Sequence, residues 1–185
     1  MLTLIGDDRP GLVSAVSGPV EARGGTWQRS QLARLAGKFA GIVLVSVPER
    51  AVAGLEQDLA ALAGEGLFVT VTQIGSSGTP AAGTPVTGAT GTGTTARAAA
   101  WSLHLVGQDR PGIVAEVSAI LARHGVGIDE LQTDVLDAPM AGGTLFEASA
   151  RLSLSPGVDP HRVQAELEQL AQELIVDLDV HPAAD

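Results

Sequence analysis

The sequence predicts an α+β fold in which one βαββαβ unit is used twice. Each copy would form a four-stranded antiparallel sheet with two helices on one face. Three observations predict this. The octapeptide Gly6-Asp7-Asp8-Arg9-Pro10-Gly11-Leu12-Val13 returns as Gly107-Gln108-Asp109-Arg110-Pro111-Gly112-Ile113-Val114, 101 residues later. Around each copy the apolar spacing switches between strand and helix periods in the same order. Between the copies, residues 75–100 are mainly Gly, Thr, Ala, Ser and Pro, too poor in apolar surface to offset the entropy of ordering them. The chain therefore divides into a first module at 1–74, a flexible linker at 75–100 and a second module at 101–185. The linker glycines form no phosphate loop, because no GxxxxGK[ST] pattern occurs.

Each element has a local reason. In the first module Leu2 to Ile5 reads as a short strand and Arg9-Pro10-Gly11 as a turn into a helix. Leu12, Val13, Val16 and Val20 then recur at helical spacing. Asp8 is placed to cap the free amides and Pro10 suits a first helical turn. Pro19 should kink or shorten that helix, and Gly24-Gly25 should end it. Trp27 to Leu35 and Phe39 to Val47 read as strands around Gly37, and Pro48 stops the second. Val52, Leu55, Leu59 and Leu62 stripe another helix before a strand at Leu67 to Ile74. The second module repeats this order: strand Trp101 to Val106, helix Pro111 to His124, strand Gly127 to Leu136, a longer turn over Asp137 to Gly143, and strand Thr144 to Leu154. A helix striped by Val163, Leu167, Leu170 and Leu174 follows, then a strand at Ile175 to Val180. Two split βαβ units with right-handed crossovers make each module ferredoxin-like.

Composition restricts the function class. The 185 residues are 45% apolar, with mean hydropathy +0.25, enough to supply real cores. A formal net charge of −10 and only 11 Lys+Arg oppose direct binding to nucleic acid or to an anionic membrane. Aromatics make up 3% and tyrosine is absent, which leaves few stacking platforms for single strands or RNA. The lack of cysteine removes disulfides, thiolate metal sites and thiol nucleophiles. With no basic n-region and no spanning apolar run, a cytoplasmic location is expected.

The duplicated DRPG turn between first strand and first helix, followed by Leu/Ile-Val, resembles the entry motif of ACT domains. Two such modules with no catalytic domain attached resemble, more narrowly, the glycine cleavage system transcriptional repressor group. Ser30, the run Leu35-Ala36-Gly37-Lys38-Phe39-Ala40-Gly41 and the run Val45-Ser46-Val47-Pro48 are similar to its first module. The run Ala138-Pro139-Met140-Ala141-Gly142-Gly143 and Leu145-Phe146 are similar to its second. The resemblance covers all but the linker. It implies a regulatory, non-enzymatic protein that senses a small amino acid, with glycine the leading candidate, and passes occupancy to a partner protein. ACT domains often carry an asparagine at the start of the second strand. Thr26 and Gly127 stand there instead, a departure that weighs against binding in the usual manner, most in the second module.

The two turns are the candidate ligand sites: Asp7, Asp8, Arg9, Pro10, Gly11, Leu12 and Val13, and their counterparts Asp109, Arg110, Pro111, Gly112, Ile113 and Val114. A helix N-terminus with an adjacent arginine favours a carboxylate, and an adjacent aspartate can accept an ammonium. Both signs together suit an amino-acid zwitterion, and Gly11 and Gly112 allow close approach to the backbone. The same residues serve equally as capped strand-to-helix turns. Gln31 and Gln132, at matching places in the second strands, either line the same cleft or are exposed polar positions on a strand face. The histidines His104, His124, His161 and His181 are scattered without metal-ligand spacing, so no metal or cofactor is expected. No serine sits in GxSxG, and Glu166, Glu168 and Glu173 follow the solvent side of a striped helix. No catalytic constellation emerges, so an enzyme is not expected. Two readings remain: an amino-acid sensor acting through a protein partner, or a ligand-free interaction module. Either is expected to self-associate as a homodimer or higher oligomer, because each small sheet leaves one face uncovered.

Overall fold

The computed structural model describes residues 1–74, 99–137 and 143–182. The first module runs β1 (Leu2–Asp7), α1 (Leu12–Ala22), β2 (Thr26–Leu35), β3 (Lys38–Ser46), α2 (Val52–Ala61) and β4 (Leu67–Val71). The second runs β5 (Ala99–Gln108), α3 (Ile113–Arg123), β6 (Val126–Asp137), β7 (Thr144–Leu154), α4 (Pro160–Leu174) and β8 (Val176–Pro182). This is the expected βαββαβ order twice. Most of the expected linker, at 75–98, and the centre of the Asp137–Gly143 turn, at 138–142, lie outside the described residues, while β5 begins at Ala99, two residues before the expected module start.

The alternation expected for β7 is realised, with Phe146, Ala148, Ala150, Leu152 and Leu154 all buried. Helix α1 buries Leu12, Val13, Val16 and Val20, and α4 buries Val163, Leu167 and Leu174. Pro19 does not shorten α1, which continues to Ala22; its carbonyl accepts the Arg23 amide at 3.1 Å. Burial of Val16 and Val20 on either side holds the turn helical despite the lost amide. Gly24, with φ 70°, then ends α1 and Gly125, with φ 67°, ends α3.

The two modules share one antiparallel sheet of eight strands, ordered β4-β1-β3-β2-β6-β7-β5-β8. They join through their second strands, with Ser30 opposite Thr133, Gln31 opposite Gln132 and Leu32 opposite Leu131. Because Gln31 and Gln132 are equivalent positions of the repeat, a pseudo-twofold axis passes between them. Beneath the sheet α1 and α3 lie side by side across the same axis. There another equivalent pair meets: the Ser17 and Ser118 hydroxyls are 3.2 Å apart, and each residue is only 3% exposed. A single apolar core runs under both halves.

Both modules also carry an irregularity at the same place in the second strand. The β2–β3 register shifts between Trp27 and Arg29, and the β6–β7 register between Ile128 and Glu130. A bulge of this kind redirects one side chain. In the second module that side chain is Asp129, which accepts from Ser153 Oγ at 2.7 Å and meets Arg34 Nη2 of the first module at 2.8 Å. A second cross-module pair joins Arg29 to Asp134 at 2.7 Å. These pairs are partly exposed, so each contributes only about 0.2–1 kcal/mol.

Ser118 donates to the Ala115 carbonyl at 3.2 Å, so the proton shared across the axis belongs to Ser17. Ser118→Ala therefore strands a buried donor, whereas Ser17→Ala leaves Ser118 satisfied. Ser118→Ala is expected to destabilise the chain by about 1 kcal/mol more than Ser17→Ala, as read from urea midpoints.

Candidate functional site

Both DRPG segments form the same backbone turn. Gly11 (φ 92°) and Gly112 (φ 93°) occupy the left-handed region at the helix N-cap, and no side chain caps either helix. This corrects the capping role expected of Asp8. It also places Pro10 ahead of the helix instead of within its first turn. The amides of Asp8 and Asp109 instead tie each turn to its own sheet, donating to Gly37 O at 3.0 Å and Thr144 O at 2.9 Å. In α3 the first intrahelical bond runs from Glu116 N–H to Gly112 O. The amides of Ile113, Val114 and Ala115 precede it and point out of the helix end.

The side chains of the two turns part company. In the first, Asp7 pairs with Lys38, and Asp8 accepts from Arg34 Nη1 at 3.1 Å. Arg34 thus bridges the first turn to the Asp129 bulge of the second module. Arg9 turns away to Glu65, meeting its carboxylate at 3.0 Å and its carbonyl at 3.1 Å. Leu12 and Val13 are core residues. A side chain added at Gly11 would meet Ala122 Cβ at 3.6 Å.

In the second turn Arg110 stays local. Its Nη2 donates to both Glu116 oxygens, at 3.0 and 2.9 Å, while its buried Nε has no partner among the described residues. Over Gly112 lies Glu21, from the end of α1 in the other module: a Cβ on Gly112 would fall 2.5 Å from Glu21 Oε1 and 3.5 Å from Glu116 Oε1. Burial raises the Asp109 carboxyl above the ordinary aspartate value. Beside this turn lies a shallow, solvent-open cleft whose free space is about that of a single water. Arg110, Gly112, Ile113 and Val114 form one side, and Glu21, Gly25 and Trp27 of the first module face them. Trp27 is fixed by its Nε1, which donates to Thr133 Oγ1 at 3.2 Å.

The structure thus joins Arg110, Gly112, Ile113 and Val114 in one cleft and leaves the first-turn residues outside it. Gln31 and Gln132 pair with each other on the exposed face of the sheet and do not line this cleft. Glu21, Trp27 and Glu116 were not among the residues singled out by sequence. Comparing the repeats position by position gives the missing signal. Glu21 stands where the second copy has Ala122, Trp27 where it has Ile128, and Glu116 where the first has Ala15. Among the described residues no group of three His, Asp or Glu side chains is arranged to hold a metal. No described helix is long and apolar enough to cross a membrane.

Residues 1–71 and 103–181 each match the ACT domain family. The chain belongs to the ACT domain family. A UPF0237 protein of Methanopyrus kandleri is 34% identical over 74 residues, covering 40% of this chain and 77% of that protein. Aspartate kinase from Synechocystis superposes with a TM-score of 0.56 at 15% identity, over 94% of this chain and 26% of that one, a likeness of fold alone. A candidate glycine cleavage system transcriptional repressor aligns over 100% of this chain and 96% of that one, at 17% identity and a TM-score of 0.41. The tandem ACT arrangement carries the regulatory fold in both halves.

Because burial raises the Asp109 pKa in the folded chain, ionisation of this group opposes folding. Its contribution favours the fold below the ordinary value of 3.8 and is lost as pH rises through the raised folded value. Asp109→Asn is therefore expected to stabilise the ACT pair at neutral pH and to make no difference below 3.8. Urea melts of both proteins on either side of that value check the sign.

Proposed function

We propose that the protein is a non-enzymatic regulator that binds a small amino acid in the cleft of the second turn and signals occupancy to a partner protein. The observation that carries this reading is the composition of the cleft. One wall is a helix N-terminus with an arginine beside it, and the other comes from a different ACT module. A carboxylate suits the helix end, where the amides of Ile113 to Ala115 precede the first intrahelical bond and the Arg110 guanidinium stands beside them. The cleft as it stands has free space for about one water, so its walls part to admit even glycine, the candidate that the resemblance to the glycine cleavage repressor group favours. A ligand held there touches both modules, so it changes their packing by whatever difference in affinity it has for alternative arrangements. Acidic overall charge and the lack of a basic face direct any transcriptional role through a DNA-binding partner, within a cytoplasmic setting.

A second reading has its own support. On the sheet face opposite the helices, Ile5, Ile42 and Phe68 of the first module are 51%, 51% and 61% exposed. That patch suits a ligand-free interaction or homo-oligomerisation module. Thermal unfolding across the common amino acids separates the two. A ligand present at about 100 times its Kd adds roughly 2.7 kcal/mol to stability, so the sensor reading expects at least one amino acid to raise Tm. Arg110→Gln is expected to abolish that rise. A flat response to the whole panel at millimolar concentrations leaves only the interaction module.

A further inference from the structure

We infer that two copies of this chain pair through the outer face of the first module's sheet, with the second module excluded from the contact. The inference rests on the self-association half of the second reading above and adds the surface, the partner and the orientation. Strand pairing sets Phe68, Ile5, Ala40 and Ala33 side by side in one row of that face, and Thr70, Thr3, Ile42 and Gln31 in the next. No member of either row is charged, and Ile5, Ile42 and Phe68 are 51%, 51% and 61% exposed. The second module supplies the comparison. At the equivalent places it carries Asp177 for Phe68, Glu147 for Ala40, Asp134 for Ala33 and Asp179 for Thr70. Arg29 and His104 pair with two of these carboxylates, so that half is a solvated, charged surface. One continuous sheet thus has a wet half and an apolar half, and only the apolar half calls for a cover.

Charge and bulk select a second copy as that cover, and they select its orientation. A net charge of −10 sets any two copies against each other, so a pairing has to keep the acidic half-faces apart. A twofold axis along the strands, over the gap between β1 and β3, does this: the first modules stack and the second modules project to opposite sides. A twofold across the strands would lay one acidic half over the other. The axis along the strands also reverses each row against itself. Phe68 then comes over the partner's Ala33, and Ile5 over the partner's Ala40. Large side chains meet small ones, which is the fit that stacked sheets and an isologous contact require. Four strands about 4.8 Å apart, followed for roughly 20 Å, give on the order of 400 Å² per copy. Two copies therefore bury roughly 800 Å² or somewhat more, the low end for a specific contact, and the dimer is a weak one.

The test is sedimentation equilibrium of the full chain from about 1 μM to about 1 mM, where a monomer–dimer equilibrium with a Kd of roughly 10–100 μM is expected. Phe68→Asp puts the second module's residue at an exposed position. It is expected to raise that Kd by about tenfold or more. Orientation is read separately. Cysteine is absent, so Asp179→Cys carries a single nitroxide label on β8, at the far edge of the sheet. Strand spacing puts the two labels of the dimer about 50 Å apart in the inferred pairing, and within about 25 Å if the axis ran across the strands. A dimer indifferent to Phe68→Asp, or labels within about 25 Å, overturns this inference and leaves self-association standing through another surface or arrangement. A monomer at every concentration, with the face free or covered by a different protein, removes the self-association reading and this inference together.

Discussion

Everything in this molecule depends on the ladder between β2 and β6. A four-stranded sheet with two helices has an unpaired second strand, and here each module satisfies the other's. That pairing makes one sheet of eight strands, and it also brings α1 beside α3 and the end of α1 over the second turn. The cleft has no existence in an isolated module, because half of its wall belongs to the neighbour. Backbone hydrogen bonds and the continuous core set the strength of the junction. The ion pairs along it are too exposed to add much stability, but they help fix the register.

The fold was largely legible in the chain. The recurrence of GDDRPGLV as GQDRPGIV gave the duplication, and period-two and helical spacings gave each element to within a few residues. The misplaced details share one cause. Asp8 looked like a helix cap because Asp often is one. The turn instead uses a glycine with positive φ, which leaves the Asp8 carboxylate to a distant arginine. Pro19 was expected to kink or shorten α1, yet the helix runs on to Ala22 with its neighbours Val16 and Val20 buried. In both cases tertiary packing overrode a local preference.

The candidate site was legible only in part, for a geometric reason. Arg110, Gly112, Ile113 and Val114 are adjacent in sequence and announce themselves as a motif. Glu21 and Trp27 lie in the other module and reach the motif only after the two second strands have paired. Gln31 and Gln132 were found by symmetry, and symmetry explains why they meet: residues at equivalent places near a pseudo-twofold axis face each other. Such residues define the axis, while the cleft extends from Ser17 to one side of it, where the repeats differ.

The bulge shared by both second strands shows how far the halves have diverged. Gln28 occupies it in one module and Asp129 in the other, with Arg34 waiting only for the latter. Matched about the axis, two copies of the second module would oppose Asp134 to Glu130 twice over, acid against acid. The halves have become left and right gloves. A pair built from either half alone would lack both ion pairs across the β2–β6 seam, so the contacts that tell one half from the other exist only in the combination.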